Sequence, residues 1–462
     1  MNDIFVPREA VEKQLEIASS LKDGADKKVC ILTFGCQQNE ADSEILSGLC
    51  QIAGYGETSE PKDADLILIN TCAIREHAEL KALSRTGQFK KLKEQNKDLL
   101  IGVCGCMAEQ KERREALMKS YPYVDFVFGT DRLYMLPEII RNAKSAKKRS
   151  IYISDLPHNE FGVIAEGLPI RRNSNHKAKV SIMYGCDNFC TYCVVPYVRG
   201  RERSRESCNI LSEVKALVDG GYKDIMLLGQ NVNSYKGDIS FPELLKRAGS
   251  MDGEYFLRFM TSHPKDASDE LFEVIRDVPN VAKQFHLPVQ SGNNRVLSAM
   301  NRRYTREKYL EKALKIKSLV PGITMTTDII CGFPTETEEE FLETVDIIKQ
   351  VEFDMIFTFL YSPRPGTPAA KMEDQIPHEE KVRRFELLSS VQNDIADKLN
   401  EKYIGKTVRV LCDSSEHGEC SGRTSGNKIV NFEGKAMVGT FADVEITSAG
   451  AYILKGKEKD EK

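Results

Sequence analysis

The chain has 462 residues, 41% hydrophobic and 29% charged, with a net charge of −4, which at ~100–200 residues per domain suggests about two to four globular domains. The acidic balance excludes a broadly basic nucleic-acid binder, and no apolar run is long enough to span a bilayer. The N-terminal MNDIFVPREAVEK lacks the apolar core of a signal peptide, so a cytoplasmic protein is expected, and its thirteen cysteines point to metal or redox chemistry rather than a disulfide framework.

The first ~27 residues are charged and read as a loose helical lead-in. From there to Arg141, the apolar runs KKVCILTF, ADLILIN and LLIGVC alternate with helix-like segments such as EADSEILSGLCQIAG. Strands apolar on both faces, alternating with helices, predict a parallel sheet covered on both sides, hence an α/β domain. Residues 142–150 and 171–179 are polar and basic, and they bracket an expected poorly structured, solvated linker. Between Val180 and Tyr361 a β–α unit repeats six times, with strands VSIMYG, DIMLLG, YFLRFM, KQFHLPV, ITMTTDII and MIFTFLYS, which predicts a partial (β/α)6 barrel. The helical HEEKVRRFELLSSVQNDIADKLNEKY follows. From Gly405 short alternating runs without a helix signal predict a small all-β barrel, where Arg423 and Lys428 are candidate RNA contacts.

Each early strand leads into a cysteine: FGC at Cys36, NTC at Cys72 and CGC at Cys106. Ligands of parallel α/β sheets bind at the carboxyl ends of strands, so these thiols can converge as metal ligands. Cys30, Cys50 and Cys104 sit inside apolar stretches, as small hydrophobes do. Cys106, which follows Gly105 in the turn, is preferred over Cys104 as the ligand. A second set, Cys186, Cys190 and Cys193, forms C-x3-C-x2-C after the first barrel strand. Thiolates suit zinc or iron–sulfur clusters, but a structural zinc needs a fourth ligand, and Cys208 lies far along the chain. Three ligands on a [4Fe–4S] cube leave one iron open.

The other barrel strands end in GQNVN, TSHP, PVQSGNN, CGFPTET and YSPRPGTP. Such a rim suits a cofactor pocket. Gln230, Asn231, Asn233, Ser262, His263 and Gln290 can supply directional hydrogen bonds, and Gly332 and Pro334 permit close backbone approach. The run RGRERSR directly after the cysteine loop makes Arg199, Arg201 and Arg203 candidates for phosphate contacts. Tyr197, Arg199 and Tyr235 are candidates to stack or hold a base.

The C-x3-C-x2-C loop, with Tyr192 before its last cysteine, resembles the radical S-adenosylmethionine (SAM) superfamily. TFGCQQNEADSE, INTCAIREHAE and GVCGCMAEQ resemble the three cysteine blocks of the methylthiotransferase family, and GKTVRVLC, SGRTSGNKIVNF and DVEIT resemble the TRAM RNA-binding domain. The resemblance covers nearly the whole chain, with implied domains at 28–145, 172–402 and 405–457. It implies a [4Fe–4S] cluster on Cys186, Cys190 and Cys193 that binds SAM, with Tyr192 and the rim residues around the cofactor. It also implies an auxiliary [4Fe–4S] cluster on Cys36, Cys72 and Cys106 that carries sulfur. The cluster and SAM chemistry, rather than a catalytic side chain, carries the reaction. SAM serves as radical source and methyl donor, with an external electron donor and a sulfur source.

LLGQNVNSY, TSHPKD, HLPVQSGNNRVLSAMNRRYTREKYL and FTFLYSPRPGTPAA resemble the branch that methylthiolates carbon 2 of N6-isopentenyladenosine next to the anticodon of tRNA. Sister branches act on threonylcarbamoyl-adenosine or on ribosomal protein S12, and a zinc-containing RNA-binding protein is the alternative from another class. Thr335 in GFPTET stands where the family more often has glycine, and Gln230 lies where the wider superfamily has an acidic stretch.

Overall fold

The computed structural model describes residues 4–74, 76–146, 148–154 and 162–459. Its chain divides into two compact units, Met1–Asn173 with Met183–Asp187 and Cys193–Arg205, and Ser174–Ile182 with Asn188–Tyr192 and Glu206–Lys462.

The first unit opens on a helix, Arg8–Ser20, that buries Val11, Gln14, Ile17 and Ala18. Those positions recur at helical spacing and form one face, so this segment is a packed element rather than the loose lead-in its charge suggested. A six-stranded parallel sheet follows, ordered β2-β1-β3-β4-β5-β6. Its strands are β1 (Lys27–Thr33), β2 (Tyr55–Glu57), β3 (Leu66–Thr71), β4 (Leu100–Gly105), β5 (Phe126–Phe128) and β6 (Ser150–Tyr152). All of β3 is buried. Leu66 and Leu68 enter one core, with Leu46, Phe126 and Ile139, while Ile67 and Ile69 enter the other, with Phe89, Ile101 and Val127. The strand period of two thus feeds two helical layers.

The expected linker needs correction. The helix Leu136–Ala146 buries Ile139, Ile140 and Ala143, and Ser150–Tyr152 pairs in register with Phe126–Phe128. An open sheet edge can recruit a polar segment through backbone hydrogen bonds alone, which apolar patterning does not reveal. Lys147 and residues 155–161 of that stretch lie outside the described residues.

In the second unit β7 (Lys177–Ser181) begins the repeated β–α pattern; β8 (Met183–Tyr184) and β9 (Arg203–Ser204) form a short antiparallel ribbon in the first unit. β10 (Asp224–Leu228) and β11 (Phe256–Phe259) pair with β7 in the order β11-β10-β7, and β12 (Gln284–His286), β13 (Thr324–Cys331) and β14 (Met355–Leu360) form a second parallel sheet. A parallel bridge joins Leu257 to Val281. These are the six expected barrel strands. Ser, Asn and Thr caps begin the helices Phe241–Gly249, Asp269–Asp277, Asn294–Ala299, Arg306–Leu319 and Glu338–Val351, the last with a full capping box.

After the helix His378–Glu401, β15 (Thr407–Glu416), β16 (Glu419–Thr424), β17 (Ile429–Glu433), β18 (Phe441–Ala449) and β19 (Ile453–Glu458) close a barrel ordered β15-β16-β17-β19-β18. Val410, Val430, Phe432, Val444, Ile446 and Leu454 fill it. Among the described residues no helix is long and apolar enough to cross a membrane.

Two buried cations tie this barrel to the strands before it. Arg258 reaches Asp224 at 3.0 Å, Gln284 Oε1 at 3.0 Å, and the carbonyls of Thr424 and Ser425 at 2.8 and 2.7 Å. Lys428 Nζ donates to Asn400 Oδ1 at 2.7 Å and pairs with Asp354 at 2.6 Å. Its side chain is 7% exposed, so Lys428 is an internal tie and not the RNA contact expected from its charge. Arg258→Leu would leave buried Asp224 without its cation, and a loss of about 3–5 kcal/mol is expected. A lowered denaturant midpoint in equilibrium unfolding checks this; an unchanged midpoint would show that the pair does not hold the unit together.

Candidate cluster sites

Two glycines let the first thiol set approach. Gly35 (φ 122°) lies so near Cys72 that a Cβ there would stand 2.5 Å from its Cβ and 2.9 Å from its Sγ. Gly105 (φ 91°) turns the chain between Cys104 and Cys106, and a Cβ there would meet Asn70 and Thr71 at 2.5 Å. The turn sends the two thiols to different places. Cys104 enters the core with Phe126 and Phe128, whereas Cys106 packs with Ala73, Val194 and Val198. Burial pushes the Cys106 thiol up to about 12, and Cys72 and Cys36 stand close enough to add to that rise while Arg199 opposes it. The structure therefore brings Cys36, Cys72 and Cys106 together at the ends of β1, β3 and β4. Cys30 and Cys50 are buried among apolar neighbours, and among the described residues every cysteine is a free thiol.

A polar network absent from the sequence-based expectations holds this set. The Asn39 amide N–H2 lies 2.8 Å from Thr71 O, 3.2 Å from Phe34 O and 3.2 Å from Asn70 Oδ1. Its Oδ1 accepts from Cys36 Sγ at 3.3 Å and from Arg199 Nη2 at 3.2 Å. Arg199 also donates to Asp42 at 2.7 Å, with both side chains at most 4% exposed. Burial works against the Arg199 charge, but Asp42, Cys106 and Cys36 hold its pKa well above the ordinary arginine value.

The expected phosphate role of the arginine run is corrected for two of its members. Arg199 is committed to Asp42. Arg203 is buried, donates to the carbonyls of Arg199, Arg201 and Val163, and is pulled down to about 10 by burial. Arg199 ends the short helix Val195–Arg199 and Arg203 lies in β9, both of whose residues are buried, so a run of charge became a run of internal ties. Arg201 remains outside, paired with Asp187 at 2.7 Å, and Arg423 is half-buried near Asn427.

In the second thiol set, the Cys186 N–H donates to Gly200 O, and Gly185 (φ 74°) packs against the Arg201 carbonyl. Cys193 is half-buried. Cys190 is 8% exposed and accepts a hydrogen bond from Arg302 Nη1 at 3.4 Å. Arg302 also donates to Tyr304 Oη at 3.0 Å and Pro288 O at 2.9 Å. The loop is held by Thr191 Oγ1 to Ala299 O and by Asn301 Nδ2 to the carbonyls of Asn188 and Phe189. Tyr192 packs beside Val296, Met300 and Phe333, and Cys208 is exposed on the helix Ser207–Asp219.

The rim residues fall at the strand ends. Asn231 Nδ2 donates to Asp266, and Asn233 pairs with the His263 backbone through both its amide groups. His263 Nδ1 accepts the Lys265 N–H at 3.2 Å, and burial, with Arg302 and Lys265, pulls its pKa down to about 2. A neutral ring accepting at Nδ1 carries its proton on Nε2. Asn231 Oδ1, Ser262 Oγ and His263 Nε2 are buried with no hydrogen-bond partner among the described residues, a donor and acceptor set that fits a polar cofactor such as SAM. Gln230 is half-buried and Pro334 buried. Gly332 (φ 73°) offers its N–H to Glu336.

Phe189, Thr261, Gln290 and Thr335 all take positive φ at this end of the strands. Such strain collects at functional rims. Thr335, at φ 69°, adopts the conformation that a glycine would favour. Arg295 clamps it through Oγ1 at 3.0 Å and its carbonyl at 2.8 Å, which offsets a conformational cost of roughly 1–2 kcal/mol.

Among the described residues no three His, Cys, Asp or Glu side chains are grouped to hold a single metal ion. A four-iron cube asks for a wider arrangement, because each thiolate binds a different iron.

Residues 28–129 match Uncharacterized protein family UPF0004, residues 180–348 the Radical SAM superfamily, and residues 401–458 the TRAM domain. The fold is similar to that of the radical S-adenosylmethionine methyltransferase TsrM from Kitasatospora setae. Its complex with tryptophan and a SAM analogue gives a TM-score of 0.57 at 13% identity, over 85% of this chain and 79% of that one. The protein is thus a radical SAM enzyme, a class whose cofactors are a [4Fe–4S] cluster and SAM. It is 48% identical over 452 residues to the tRNA-2-methylthio-N(6)-dimethylallyladenosine synthase of Acetivibrio thermocellus, covering 96% of this chain and 93% of that one. The synthase of Alkaliphilus oremlandii is 45% identical over 465 residues, covering 98% of each. The chain belongs to the family of these synthases.

The basic run drew attention to Arg199 but not to its buried role, and nothing singled out Arg302, because each acts through a tertiary contact. With a cluster on Cys190, Arg302→Met should bind iron but lower the cluster's reduction potential, since a cation and a hydrogen bond to the ligand sulfur favour the reduced state. An EPR-monitored redox titration checks it; an unchanged potential would show that the contact does not tune the cluster.

Proposed function

We propose that this enzyme methylthiolates carbon 2 of N6-isopentenyladenosine next to the anticodon of tRNA, giving 2-methylthio-N6-isopentenyladenosine. Near full-length likeness to synthases of that name carries the reading. Relatives acting on threonylcarbamoyl-adenosine or ribosomal protein S12 are not favoured, and a zinc-containing RNA-binding protein does not account for two open thiol sets. The working domains are 28–145, 172–402 and 405–457. A tRNA substrate accords with a cytoplasmic reaction that takes electrons from an external donor and sulfur from a separate source.

In this reading Cys186, Cys190 and Cys193 hold the SAM-binding cluster, and Cys36, Cys72 and Cys106 hold a second [4Fe–4S] cluster. Bound together, these groups supply one-electron cleavage, a methyl group and sulfur. The chain's own residues bind and orient. Arg302 holds the Cys190 sulfur, and Arg199 offsets thiolate charge at the other set. Asn231, Ser262 and His263 offer buried polar atoms to SAM, with Gln230, Gln290, Gly332 and Pro334 around them. His263 stays neutral across physiological pH, so its Nε2–H is a fixed donor. Arg201 and Arg423 remain as RNA-facing cations.

The two thiol sets predict separable defects. Cys190→Ala should lose SAM cleavage and product together. Cys72→Ala should retain SAM cleavage to methionine yet form no methylthiolated nucleoside from a prenylated anticodon stem-loop, as read by mass spectrometry. Full methylthiolation by Cys72→Ala would remove that residue from the sulfur-carrying site.

A further inference from the structure

On β14, Met355, Phe357 and Phe359 share one face. In register with β13, Phe357 stands beside Asp328 and Phe359 beside Ile330. The alternate residues of β13, Met325, Ile329 and Cys331, are buried at 0–1% exposure, so they form the face packed under the helices. Phe357 and Phe359 project from the opposite, inner face and are 39% and 41% exposed. β14 is also a terminal strand of its sheet. Two bare aromatics on an edge strand are a liability unless something covers them.

The surroundings indicate what that is. The His286 ring lies 5.9 Å from Phe357, and its Nε2 is 3.6 Å from Asp328. Phe357 also lines a cavity of about 290 Å³ with Met260, Met355, Ile429, Tyr452 and Arg423. Towards the rim, Phe359 is paired with Ile330, whose N–H donates to the Gln290 carbonyl. The aromatic wall therefore runs from that cavity to the end of the strands where SAM is proposed to bind.

We propose that Phe357 and Phe359 form the wall that receives the isopentenyl arm of the substrate adenine and selects for it. Two residues along a strand span about 6.6 Å, enough for two rings to flank a branched arm four carbons long. The Asp328 carboxylate on the same face is an acceptor for the one N6–H that a monoalkylated adenine keeps. Arg423, 38% exposed at the cavity and 3.9 Å from Asp413, complements an RNA phosphate in charge. The wall, carboxylate and cation match in chemistry an apolar arm, an amine and a phosphate of the RNA. This inference rests on the proposed substrate.

The test uses reconstituted holoenzyme and two anticodon stem-loop RNAs, one with isopentenyladenosine and one with plain adenosine. Wild type should bind the prenylated RNA at least tenfold more tightly. Phe357→Ala/Phe359→Ala should erase most of that preference while its affinity for the plain RNA stays within about twofold, which also reports an intact fold. Phe359→Leu, which keeps apolar contact, should retain most of the preference. A preserved preference in the double variant, or an equal loss for both RNAs, overturns the assignment, as does a wild type that turns over without preferring the prenylated RNA. A wild type that makes no methylthiolated product would instead sink the functional reading itself.

Discussion

A single buried amide constrains the sulfur-rich end of the first unit. Asn39 is fully buried and links the residue after β1 to the last two residues of β3, touching Phe34, Asn70 and Thr71 with its N–H2 and Cys36 and Arg199 with its oxygen. Buried amides are costly unless their donors and acceptors are met. Meeting those of Asn39 requires the ends of β1 and β3 to sit in one register and Arg199 to lie over them. Asp42, one helical turn further along, then balances the arginine. The positions of Cys36 and Cys72 follow from this network, and Gly105 brings Cys106 to them.

The second thiol set repeats the principle with different parts. Arg302 is buried, and burial alone would weaken its charge, yet Tyr304, Tyr192 and Cys190 keep it firmly cationic. Each set is therefore served by one buried guanidinium. A thiolate-bound cluster adds negative charge where solvent is scarce, so a cation on a fixed fork stabilises it without needing to reorganise. Around the barrel rim the strain at Phe189, Thr261, Gln290 and Thr335 serves the same end, since backbone held in an uncommon conformation keeps neighbouring polar atoms in place.

Much of this was legible in the sequence because it is local. Strands buried on both faces, such as Leu66–Thr71, are continuous apolar runs, and a cysteine directly after such a run stands at a strand end. The all-β module was visible in its alternation. The three-residue strands Tyr55–Glu57, Phe126–Phe128 and Ser150–Tyr152 were not, because they are too short to show a period and rely on a neighbour's hydrogen bonds. Charge misled most. Arg203 and Lys428 look like surface cations in sequence but lie inside the fold, matched to carbonyls, Asp354 and Asn400 that come from distant segments. Arg199, Arg302 and Arg258 share that origin, since only tertiary structure supplies their partners.

In the proposed function two separate thiol sets each hold a four-iron cluster. Iron and sulfide analysis with Mössbauer spectroscopy, on anaerobically reconstituted protein, tests it most directly. Wild type should carry about eight irons per chain, and the variant lacking Cys36, Cys72 and Cys106 about four, all in a [4Fe–4S] cluster that still responds to SAM. An iron content unchanged by that triple substitution would contradict the account.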